Sequence, residues 1–87
     1  MFGFVTRLLA LRDTIKVLAG QFPDVLDDIE QTFEDVEAEV ITKSWNIPVV
    51  YKIVADVETL FSDFVKDYSG SKDQITAFLS AVKALFA

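Results

Sequence analysis

The sequence predicts an all-α fold: a compact antiparallel bundle of four amphipathic helices in one domain over residues 1–87. Three observations carry that prediction. Apolar residues recur at steps of three and four along four segments, the spacing that lines one helical face. Clusters of Gly, Pro, Ser and Asn separate the segments, where helices end. Elsewhere breakers are scarce, with 3 Gly and 2 Pro in all, while 52% of the chain is hydrophobic. Each segment is thus long enough to be helical and apolar enough to need a neighbour.

Helix A is expected over residues 4–19, with Phe4, Leu8, Leu11, Ile15, Leu18 and Phe22 on its main stripe. Gly20 suits a C-terminal cap, and Pro23 cannot continue the hydrogen-bond ladder. Val5, Leu9 and Val17 fall off the stripe, so more than one face of this helix wants cover.

Helix B is expected over residues 24–43, on the stripe Leu26, Ile29, Phe33, Val36 and Val40. Pro23 or Asp24 begins it. Asp24 can cap the first amides, Asp27 and Asp28 complement the helix dipole, and Phe22 can act as a hydrophobic staple.

Helix C is expected over residues 48–68. Val50, Val54, Val57, Phe61, Phe64 and Tyr68 form its stripe, widened by Ile53, Leu60 and Val65. The β-branched residues near Ile47–Val50 would suit a strand, but the persistent three-four spacing outweighs that propensity. Phe61 is read as a core residue. Ser44-Trp45-Asn46-Ile47-Pro48 reads as a turn, with Ile47 biased away from helical geometry by Pro48. This makes helices B and C a hairpin. The alternative is a three-helix fold with one long central helix kinked through Pro48.

Helix D is expected over residues 72–86, on Ile75, Phe78, Leu79, Val82, Leu85 and Phe86. Ser69-Gly70-Ser71 breaks the chain before it, and Ser71 with Gln74 matches a capping box. No sequence repeat is evident. Loops this short favour antiparallel neighbours.

Composition excludes several function classes. The chain has no Cys and no His, which removes disulfides, thiolate chemistry and the commonest metal ligand and general base. There is no glycine-rich phosphate loop and no nucleophile–base pairing, so no catalytic residue and no cofactor is assigned and an enzyme is not expected. An EF-hand is not expected over Asp24–Asp35, which lacks the required Gly. With 8 Lys+Arg against 14 Asp+Glu, net charge is −6, and no basic stripe exists to bind DNA or RNA directly.

Charge is segregated. Asp24, Asp27, Asp28, Glu30, Glu34, Asp35, Glu37 and Glu39 put eight acids and no base between residues 24 and 39. Like charges at these spacings repel within a helix. The simple reading is a solvated face beside helix A, whose Arg7, Arg12 and Lys16 outnumber Asp13. The functional reading is a surface of Asp27, Asp28, Glu30, Glu34, Asp35, Glu37 and Glu39 aimed at a basic protein. Helix D shows the opposite feature. From Gln74 to Ala87 only Lys83 is charged, and the face opposite the stripe is Ala77, Ser80, Ala81 and Ala84. Small residues let another helix approach closely.

A mean hydropathy of +0.35 in so short a chain suggests more apolar surface than one small core hides. Leu9, Val17, Trp45, Ala77, Ala81 and Ala84 are the candidate partner-binding residues. Trp45 is expected chiefly to cap the bundle end, and Phe2, Phe4 and Phe86 make both termini apolar. The expected function is a non-enzymatic assembly or interaction protein that packs with copies of itself or a larger partner, such as a subunit of a virion or filament. Alternatives are an acidic inhibitor or antitoxin-like decoy engaging a basic protein through helix B, and a peripheral lipid-surface protein with Arg7, Arg12 and Lys16 toward anionic headgroups. Arg7, Arg12, Asp13 and Lys16 interrupt the apolar N-terminal stretch, so neither a signal peptide nor a spanning helix is expected. The absence of Cys is compatible with the cytoplasm or a virion interior, the favoured locations, without fixing either.

Overall fold

Each of the four apolar segments becomes one helix: α1 (Gly3–Leu18), α2 (Pro23–Lys43), α3 (Ile47–Asp67) and α4 (Lys72–Leu85). The computed structural model describes residues 3–43 and 45–87. Phe2, read as part of an apolar terminus, and Ser44, read as part of a turn, lie outside the described residues. The helices form a four-helix bundle of 36 × 23 × 21 Å.

The helix ends follow local chemistry, with some corrections to the sequence reading. Asn46 caps α3, its side-chain oxygen accepting from the Val49 N–H at 3.0 Å. Pro48 therefore sits in the first turn, where its missing N–H costs nothing, and α2 and α3 are separate helices rather than one kinked rod. Ile47 is already helical, one residue earlier than expected. Asp24 caps nothing. Pro23 starts α2, the Phe22 carbonyl accepts from the Val25 N–H at 3.0 Å, and the exposed Asp24 side chain lies 3.8 Å from Lys72 Nζ. Gly20 does not take the left-handed conformation expected of a capping glycine. The left-handed glycine is Gly70, at φ +85°, in the α3–α4 turn. Gln74 ties that turn together, accepting from Ser69 and Ser71 N–H and donating to the Asp67 carbonyl at 2.9 Å.

The core is shared by all four helices. Phe4, Leu8, Ile15, Val25, Ile29, Phe33, Val36, Val50, Val54, Val57, Ile75, Phe78, Leu79, Val82 and Phe86 are buried, largely the residues on the three-four stripes. Two departures stand out. Val25 and Thr32 are buried while Leu26 is only half-buried, so α2 is rotated slightly from its nominal stripe. In α3 the stripe is buried only through Val57. Phe61, Phe64 and Tyr68 are half-buried, which corrects the placing of Phe61 in the core.

The main packed pairs are α1–α2, α3–α4, α1–α3 and α2–α4. Helices α2 and α3 thus stand at diagonal corners although a short turn joins them, and the expected B–C hairpin is not formed. Across α1–α3, Phe4 meets Tyr51, Arg7 meets Glu58, and the Tyr68 hydroxyl donates to the Leu18 carbonyl. Across α2–α4, Lys72 meets Asp24 and Lys83 meets Asp35. Both sets advance in the same direction, so these neighbours run parallel. The bundle is two antiparallel hairpins, α1–α2 and α3–α4, laid side by side in register.

Candidate interaction surface

The side-by-side hairpins leave the outer seam of α3 and α4 uncovered. Along α3, Val49, Ile53, Leu60 and Phe64 follow steps of four and seven, which puts them on one helical face. Leu60, Asp63, Phe64 and Asp67 form one wall of a groove of about 340 Å³. Gln74, Ala77, Phe78 and Ala81 of α4 form the other. The alanines create the concavity: a larger side chain at Ala77 or Ala81 would fill the space between the helices. The aromatic rings are fixed from beneath. Phe64 lies 5.0 Å from both Phe78 and Tyr68 between ring centroids, and Phe61 lies 5.9 Å from Phe78. Further along the same α3 face, Trp45, Asn46, Val49 and Ile53 line a second depression.

The charges are sorted around this seam. Both bases of α4 turn to α2, Lys72 to Asp24 and Lys83 to Asp35, each at 3.8 Å. On the groove itself the charged residues are Asp63 and Asp67, exposed and without an ion-pair partner among the described residues.

The six candidate partner-binding residues do not form one surface. Ala77 and Ala81 line the groove, and Ala84 is exposed beyond it on α4. Trp45 is half-buried, stacked on Phe86, and lines the second depression. Leu9, half-buried, and Val17, 81% exposed, sit on α1 at the corner diagonal to α4. Sequence reasoning missed Leu60, Asp63, Phe64 and Asp67 as surface residues. The signal was present in the breadth of the apolar arc of α3, which is too wide for one core contact.

The acidic residues of α2 are also divided. Glu30 accepts from Lys16 and lies 3.7 Å from Arg12, Asp35 pairs with Lys83, and Glu39 pairs with Lys43 at 3.1 Å. The hydrogen bond from Lys16 holds the Glu30 carboxyl below its ordinary pKa. Glu37 is half-buried on the α1 side, where its charge helps raise the Arg12 pKa behind the larger effect of the Asp13 hydrogen bond. Asp27, Asp28 and Glu34 are exposed with no ion pair among the described residues. The bases of α1 are likewise engaged, Arg7 with Glu58 and Arg12 with Asp13 at 3.0 Å.

Among the described residues, no group of three or more acids converges where a metal ion could be held, and no helix is long and apolar enough to cross a membrane. The chain matches no protein-family model, no curated protein and no solved structure. The fold and surface define a class: a small four-helix bundle with an open apolar seam.

Proposed function

We propose that this protein is a non-enzymatic subunit of a multiprotein assembly, such as a virion or filament, and works by being bound along its α3–α4 seam. One observation carries this reading. Leu60, Phe64, Ala77 and Ala81 line an open apolar groove over the edge of the shared core, where Leu60 and Phe64 pack against that core and keep part of their surface in solvent. Apolar groups that line an open groove gain by being covered, which supports reading the groove as a binding site. The wall of small residues on α4 lets a helix laid lengthwise approach closely, the helix-in-groove mode.

The decoy reading draws on fewer side chains than the sequence suggested, since Glu30, Asp35 and Glu39 are held by the chain's own lysines. The lipid-surface reading has less support, because Arg7, Arg12 and Lys16 each meet a carboxylate of the chain itself that a headgroup would have to displace.

The test is a photo-crosslinking amino acid at exposed Ala77 in the source cell, with exposed Thr59 on α3 as the control site. A discrete adduct from position 77 that is absent from position 59, and lost with Ala81→Glu, is the expected result. The Glu variant would place a carboxylate on the apolar α4 wall while keeping α4 helical, which circular dichroism checks. No adduct, or the same adducts from both positions, would overturn the proposal.

A further inference from the structure

Resting on that reading, we infer that the occupant of the α3–α4 groove is a distinct protein's amphipathic helix, whose narrow apolar face is flanked by Lys or Arg. The argument is charge complementarity. Asp63 and Asp67 stand on the α3 wall of the groove and, among the described residues, neither forms an ion pair, not even with the intervening Lys66, which is not part of the groove lining. The α4 wall offers only Gln74, Ala77, Phe78 and Ala81, because Lys72 and Lys83 are drawn to the α2 side. A helix seated on Leu60 and Phe64 would therefore bring its α3-side flank against two unneutralised carboxylates. Cations there gain attraction as the groove excludes water, and acids there are repelled.

A second copy of this chain fits poorly. Arg7, Arg12, Lys16, Lys43, Lys52, Lys72 and Lys83 are each already within an ion pair, which leaves Lys66 as the base without one among the described residues. A sister molecule thus offers one free base, Lys66 on α3, which is too few to line the flank of a helix. A two-fold contact would also bring the patch that carries Asp63 and Asp67 against the same acidic patch of the partner, between molecules of net charge −6. The open α3 face from Val49 to Phe64 is about 22 Å long at 1.5 Å per residue, the length of a helix of about 15 residues.

Two synthetic helical peptides of about 15 residues test this. They share one Leu/Ala face, and one carries Lys at the flanking positions while the other carries Glu. Fluorescence anisotropy should show the Lys peptide binding at least about tenfold tighter, with the gap narrowing as salt screens the rim. In the Asp63→Lys/Asp67→Lys double variant the preference should reverse. Both positions are exposed and unpaired, and Lys near the C-terminus of α3 suits the helix dipole, so the variant keeps its fold. Equal binding of the two peptides, or binding of neither, would overturn the inference. So would a dimeric mass in sedimentation that strengthens in the double variant, or flotation with phosphatidylserine vesicles that is lost in Ala81→Glu. If the position-77 crosslink forms while the peptides show no charge preference, the occupant's chemistry is wrong and the seam's role stands. If that crosslink is absent, both fail.

Discussion

The indole of Trp45 lies nearly parallel to the ring of Phe86, with centroids 5.9 Å apart and planes 11° from each other. This stack joins the α2–α3 connection to the residue that caps the C-terminus of α4, and Lys43 Nζ sits 5.8 Å from the indole centroid. It closes the end of the bundle at the point where the chain crosses from one corner to the diagonal one.

The stack should be measurable as a coupling. Phe86 is 1% exposed, so Phe86→Ala is expected to cost about 3–5 kcal/mol, and Trp45→Ala, half-buried, about 1–2 kcal/mol. A double-mutant cycle in urea should return about 0.5–1.5 kcal/mol of interaction. Additive losses would mean that the two rings act independently. Trp45 is the sole Trp, so its emission reports this end of the molecule alone.

Burial divides the phenylalanines into two energetic classes. Phe33, 1% exposed, should cost about 3–5 kcal/mol on truncation to Ala. Phe61 keeps part of its ring in solvent and should cost only about 1–2 kcal/mol. Denaturant melts of Phe33→Ala and Phe61→Ala that shift equally would contradict the observed tilt of the α3 stripe out of the core.

The two turn glycines should respond oppositely. Gly70 holds φ +85°, so Gly70→Ala should lose about 1 kcal/mol. At Gly20 an added Cβ would meet the Val17 carbonyl at 3.5 Å, an ordinary contact, and φ is not left-handed. Gly20→Ala should therefore be neutral or gain about 0.4–1 kcal/mol by restricting the unfolded chain. Thermal unfolding of the two variants measures the difference, and a larger loss at Gly20 would reverse the assignment.

Acid sensitivity should pass in part through Glu30. The Lys16 hydrogen bond, and then the charges of Lys16 and Arg12, hold the folded-state pKa of Glu30 below its ordinary value, against desolvation. A depressed folded pKa means that the ionised carboxylate favours the folded state. The contribution is present at neutral pH, above the unfolded pKa, and is lost as pH falls through the folded value. Glu30→Gln should lower stability near neutrality, change little in strong acid, and so flatten the acid limb of the stability profile. An unchanged acid limb would show that the Lys16–Glu30 contact is not maintained in solution.

Much of the fold was legible in the sequence for a local reason. Helix spacing, the breaks at Pro23, Asn46–Pro48 and Ser69–Ser71, and the tie between Ser71 and Gln74 all depend on residues a turn or two apart. The sequence thus determined four helices, their approximate ends and most of the buried stripe. It also indicated the small-residue face at Ala77 and Ala81, because a run without charge is visible in one dimension. Tertiary structure alone decided which face met which neighbour. A periodic stripe states how wide a helix's apolar arc is, and leaves open which helix covers it. The diagonal placing of α2 and α3, the half-burial of Phe61 and Phe64, the turning of Lys72 and Lys83 toward α2, and the bare pair Asp63 and Asp67 all follow from packing between distant segments. Those long-range choices turn the surplus apolar width of α3 into a groove rather than a deeper core.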